Sequence, residues 1–138
     1  MSEHRKAIRA MIRSALEVTP EFLTFTAVSG WAQSVDADTL PVYGVLTPRE
    51  VSSATDREAH ERRVEVKLRI TQMGDDLVED DLDTSASAAE RVLLPLLRAA
   101  YLNAEVMGTE MQLSGEGKAR VGTIEITFAV LLHTDFPV

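Results

Sequence analysis

Two stretches of strict alternation constrain this chain more than anything else in it. Val64, Val66, Leu68 and Ile70 alternate with Arg63, Glu65, Lys67 and Arg69, so a strand here would put every apolar side chain on one side and every charge on the other. That is the pattern of a half-buried antiparallel strand. Residues 121–132 repeat it, with Ile124, Ile126, Phe128, Val130 and Leu132 turned inward. About twelve residues at roughly 3.3 Å each reach on the order of 40 Å, whereas a domain of this length has a radius of gyration of about 14 Å. At least one strand is therefore expected to project beyond its own core. A projecting strand is a sheet margin open to a partner, which favours oligomerisation by strand or arm exchange.

The remaining segments read as follows. Ile8, Met11, Ile12, Ala15 and Leu16 fall at helical spacing and Arg5, Arg9 and Arg13 lie on another side; Thr19-Pro20 ends that helix. The Arg stripe is either a solvated face or a contact surface for an acidic neighbour. Short strands are expected over residues 22–28 and 40–46, the second with Pro41 at its start and closed by Thr47-Pro48. Trp31 and Tyr43 are either core residues or aromatic anchors of an interface. Residues 48–62 turn polar without a clear period and read as a long loop or mobile arm. A helix carries Ala86, Ala89, Val92, Leu93, Leu96, Leu97 and Ala100 on one face, with Asp83, Thr84 or Ser85 as its N-cap. Pro95 is expected to kink it or to begin a second helix, because an interior proline removes a backbone hydrogen bond and costs roughly 3 kcal/mol. A short strand over residues 109–113 precedes the last one, and Ser114-Gly115-Glu116-Gly117-Lys118 supplies a hairpin turn. The order predicts a single α+β domain over residues 1–138: a mostly antiparallel, mixed sheet with helices packed on one face.

Charge and composition narrow the function classes. With 14 Lys+Arg against 22 Asp+Glu, the net charge of -8 disfavours general affinity for nucleic acid or for anionic membranes. The chain has 0 Cys, so disulfides, thiolate metal sites and cysteine nucleophiles drop out. The N-terminal residues run directly into an amphipathic segment, without the apolar stretch of a signal peptide. His4, His60 and His133 are scattered and match no metal-ligand spacing, and no Gly-x-Ser-x-Gly occurs. No catalytic residues, cofactor or metal are expected. The chemical anomaly is the acidic loop over residues 74–83: from Asp75 to Asp83, six of nine residues are carboxylates. It reads as a solvated approach to a helix N-terminus, or as a surface that recruits a divalent cation between subunits or repels DNA phosphates.

The full layout resembles the phage tail-terminator family, the lambda-like minor tail proteins that cap a finished tail tube. The resemblance is carried by a helix ending at Thr19-Pro20, by Trp31 followed by Leu40-Pro41-Val42, and by Thr47-Pro48-Arg49-Glu50 opening the polar segment. It continues through Arg63-Val64-Glu65-Val66, Leu82-Asp83 with Ala86, Ala89 and Glu90, and Leu113 with the last strand through Phe128. It implies a non-enzymatic virion protein at the head-proximal end of the tail, assembled in the host cytoplasm. Its partners would be five further copies in a homo-hexameric ring, the tail tube protein and the head-completion or connector proteins. DNA would pass through the lumen without specific binding, and no membrane is involved. Under this resemblance Arg49, Arg57, Arg62 and Arg63 would meet a neighbour's acidic surface, and Asp75, Asp76, Asp80 and Asp81 would serve as counter-charges or line the lumen. Another neck or head–tail connector protein, or a small ligand-binding or enzymatic α+β domain, are the alternatives.

Overall fold

The alternation around Val64 and around Ile126 produces the two central strands of a five-stranded sheet. The computed structural model describes residues 3–29, 40–54, 59–115 and 120–135. Helix α1 (Glu3–Glu17) and a single 3-10 turn (Pro20–Phe22) lead into strands β1 (Thr26–Ser29), β2 (Val42–Ala54) and β3 (Ala59–Gly74). Helix α2 (Val78–Ala100) and strands β4 (Asn103–Ser114) and β5 (Arg120–Asp135) complete the order. The strands lie in the order β1-β2-β3-β5-β4. Only β1 and β2 are parallel; the other neighbours are antiparallel. The fold is α+β with the helices on one face, as the element order implies.

Register explains the core. Val64, Val66, Leu68 and Ile70 stand opposite Val130, Phe128, Ile126 and Ile124, and Tyr43 and Val45 extend the same face across β2. All eight residues of the β3–β5 ladder are at most 1% exposed. Onto them pack Ile8, Ile12 and Leu16 of α1 and Val78, Leu82, Ala89, Leu93 and Leu97 of α2. Fully burying an aliphatic or aromatic side chain contributes about 1.5–3 kcal/mol, so this layer is the main stabilising term. Tyr43 is a core residue, with its ring edge-on to Phe22 at 5.8 Å. Trp31 lies outside the described residues.

Several expectations are corrected. Residues 48–54 and 59–62 are strand and not loop: β2 runs on past Pro48 and pairs with β3 out to Ala54↔His60. Pro48 is tolerated because the register shifts between Leu46 and Arg49, and a bulge spares the ladder its missing N–H. The segment looked aperiodic because its inward positions, Glu50, Ser52 and Arg62, are polar. The acidic run is likewise not one loop, since α2 begins at Val78 and Glu79, Asp80 and Asp81 form its first turn. Val78 and Leu82 carry the apolar stripe through the acidic run, and carboxylates at a helix N-terminus are favoured by the helix dipole. The helix therefore starts ahead of the expected caps: the Leu77 N–H donates to Asp75 Oδ1 at 2.9 Å, Thr84 Oγ1 to the Asp80 carbonyl, and Ser85 Oγ to Gln72 Oε1. Pro95 begins no second helix; it sits exposed within α2, one turn after the exposed Arg91. Phe22 falls in the 3-10 turn rather than a strand, and β4 begins at Asn103, well ahead of residue 109.

No single helix matches the length of the central strands, though together the helices reach toward both ends: His4 of α1 meets Glu50 beside Arg62, and Val78 and Leu82 of α2 lie at Gly122. With 16 residues each, β3 and β5 span about 50 Å, while the 23 residues of α2 span about 35 Å. Exposed strand residues lie at both ends. One is the β2–β3 hairpin, where Ser52, Ser53 and Ala54 are exposed; the other is the β4–β5 hairpin, where Leu113, Ser114 and Gly115 are exposed. Gly115 opens that turn with φ of 83°, a conformation in which a side chain is strained.

Candidate functional site

Where α1 starts, the apolar layer between helices and sheet gives way to a charged cluster. Glu50 of β2 stands opposite Val64, so it points to the helix side. His4 Nε2 lies 2.5 Å from Glu50 Oε1, Arg62 Nη1 donates to Glu50 Oε2 at 2.6 Å, and the Arg5 guanidinium approaches to 3.7 Å. Arg62 also donates from Nη1 to Ser52 Oγ at 3.0 Å and from Nε to Thr134 Oγ1 at 2.5 Å. Arg62 thus binds β2 and β5 to its own strand, and His4 pins the first turn of α1 to the same point. Arg9 adds a hydrogen bond to Thr47 Oγ1 one turn further along. The side chains of His4, Glu50 and Arg62 are only 10–15% exposed. Burial pushes the Glu50 carboxyl up, but the hydrogen bonds and charges of His4 and Arg62 prevail and hold it below its usual value. This cluster shapes the hairpin base.

Among the described residues, the opposite face of the sheet carries no helix. Glu125 of β5 accepts from Lys67 Nζ at 3.2 Å and from Arg69 Nη2 at 2.8 Å, and Lys67 reaches Glu65 at 3.7 Å. Here too burial raises the carboxyl and the two cations more than offset it. Beside this ladder a shallow groove of roughly 430 Å³ crosses the long strands, bordered by Arg49, Val51, Arg63 and Met107. Arg63 bonds the Met107 sulfur and lies 3.5 Å from Glu105. Val51 and Met107 are about half exposed, at 50% and 52%. An open groove lined by two cations, the Glu65 carboxylate and two exposed apolar side chains is a contact surface rather than an enclosed substrate pocket.

The residues singled out from sequence fall in three places. Arg49 and Arg63 lie on the open face, exposed. Arg62 lies on the helix side and spends its charge on Glu50, which makes it a structural residue of the protomer. Arg57 falls outside the described residues. Asp75 and Asp76 occupy the turn before α2, and Asp80 and Asp81 its first turn; all four are exposed, and among the described residues none forms a salt bridge. The arginines and the carboxylates are thus not brought together within the described residues. Sequence reading missed Glu50 and His4. Their distance in the chain hides them, and the one available signal was a lone carboxylate at an inward-parity position of a strand. No group of three His, Asp or Glu side chains converges as cation ligands among the described residues, and no helix is long and apolar enough to cross a membrane. Compared with known proteins, the chain matches no family model and no curated sequence.

Proposed function

We propose that the chain is a structural subunit of a phage tail terminator, a homo-hexameric ring that seats on the last ring of tail tube protein and ends its growth. The face away from the tube would receive head-completion or connector proteins. The observation that carries this reading is the pair of open sheet margins: among the described residues, β2 beyond Val45 and the whole of β4 each have a strand on one side alone. A protomer so built presents backbone margins and, among the described residues, a sheet face without helical cover, which neighbours in a ring would bury. The cluster at Glu50 supports it as well, because it stiffens the hairpin that would reach the next protomer. Exposed carboxylates at Asp75, Asp76, Asp80 and Asp81 suit a lumen wall along which DNA slides, since like charges repel at short range. Arg49, Arg57 and Arg63 would meet the adjacent subunit or partner. No reaction is part of this role.

Light scattering on the purified protein, with electron microscopy of mixtures with tube protein, tests the reading. The expected result is six-fold rings, free or at tube ends, and tubes that stop growing. A protein that stays monomeric at high concentration and leaves tube length unchanged would end the proposal. Rings located elsewhere in the neck would move the assignment to another head–tail connector.

A further inference from the structure

We infer that copies of this chain join head to tail by sheet continuation, the outer edge of β2 over residues 49–54 pairing antiparallel with β4 of the next copy. The inference rests on the ring reading and names the contact that builds it. Both margins are open among the described residues. β1 pairs with β2 only from Thr26↔Val42 to Ser29↔Val45, so the rest of β2 has a strand on one side alone. β4 ends the sheet order with β5 as its one neighbour. Past the Pro48 bulge, residues 49–54 of β2 offer a row of backbone N–H and C=O groups along about 20 Å, and β4 offers a longer one interrupted by its register shift between Val106 and Gly108.

Direction and charge select this pairing. Three successive antiparallel steps, β2 to β3 to β5 to β4, leave β2 and β4 pointing opposite ways. A neighbour that keeps the same face outward then offers its β2 antiparallel to β4, which hydrogen-bonds slightly better than a parallel ladder. β4 carries Glu105 and Glu110 and no basic residue. Two β4 edges meeting about a two-fold axis would align four carboxylates along one seam. The open part of β2 instead presents the exposed Arg49, while its one carboxylate, Glu50, is turned to the helix side and held by His4 and Arg62. Arg49 then faces the glutamates of β4, a favourable cross-strand combination. Val51 and Met107, about half exposed in the single protomer, lose water on the open face of the joint. The two patches differ, so the contact is heterologous, and such contacts close into rings or run on as filaments.

The chain has 0 Cys, so introduced thiols report without background. Val51→Cys and Glu110→Cys sit at exposed open-face positions of the two margins, and circular dichroism checks that each variant folds. A short bis-maleimide is added to each variant, to their mixture and to the double variant. Covalent dimers in the mixture, a ladder of oligomers in the double variant and monomers in each single variant are the expected result. Cross-linking of Glu110→Cys alone overturns it in favour of two-fold pairing. Rings seen by light scattering with no cross-link in the mixture overturn the named contact and leave the ring standing. Monomers throughout remove the ring reading and this inference together. As a second arm, Arg49→Glu weakens assembly several-fold, and adding Glu105→Lys and Glu110→Lys restores it; absence of restoration refutes the charge argument.

Discussion

Replacing Arg62 with alanine isolates what the charged cluster contributes. The substitution removes the 2.6 Å ion pair to Glu50 and the hydrogen bonds to Ser52 and Thr134. Breaking a fully buried pair costs about 3–5 kcal/mol, and an exposed pair contributes only about 0.2–1 kcal/mol. With 15% and 12% of the two side chains exposed, the pair lies nearer the buried limit, though His4 and Arg5 still face the stranded carboxylate. The expected loss is about 2 kcal/mol. With a urea slope of about 2 kcal/mol per molar, the unfolding midpoint falls by about 1 M. Protein concentration must be held fixed, because self-association stabilises by mass action. A double-mutant cycle with Glu50→Ala should return a coupling of at least about 1 kcal/mol. A midpoint shift below about 0.2 M, or strict additivity of the two substitutions, would refute the view that this cluster ties the hairpin to the body.

Two further outcomes follow from the geometry. A methyl group added at Gly122 would stand 2.6 Å from Leu82 Cδ1 and 2.9 Å from Leu113 Cδ2, so Gly122→Ala should destabilise by about 1–3 kcal/mol through overpacking, read by urea or thermal unfolding; an unchanged midpoint would mean that α2 and β4 yield freely there. Acid should also unfold the protein by a route the cluster sets. Glu50 and Glu125 both titrate below their ordinary value of 4.5 in the folded state, so the unfolded chain binds their protons first and their contribution is lost as the pH falls below 4.5. Glu50→Gln should flatten the fall of stability from neutral to about pH 3; identical slopes for the two proteins would count against it.

The central strands, both helix faces and the α+β class were legible because each depends on a local period. Val64 to Ile70, Ile124 to Leu132 and the Leu93–Leu97 face keep the same side buried whatever they pack against. That the two central strands are long was legible too, since residue count and rise per residue suffice for it. Tertiary structure alone decided the rest, because it pairs residues that are far apart in the chain. The polar segment after Pro48 became strand because β3 supplies its hydrogen bonds, and its inward Glu50 is met by Arg62 and by His4, 46 positions away. The acidic run became a helix start because Val78 and Leu82 find the sheet beneath them. Arg62 and Arg63 look alike in the sequence, yet the two-residue repeat of a strand sends one toward Glu50 and the other to the open face. Which charges hold the protomer together and which remain for a partner is therefore a matter of strand parity and register, and neither is settled until the sheet has formed.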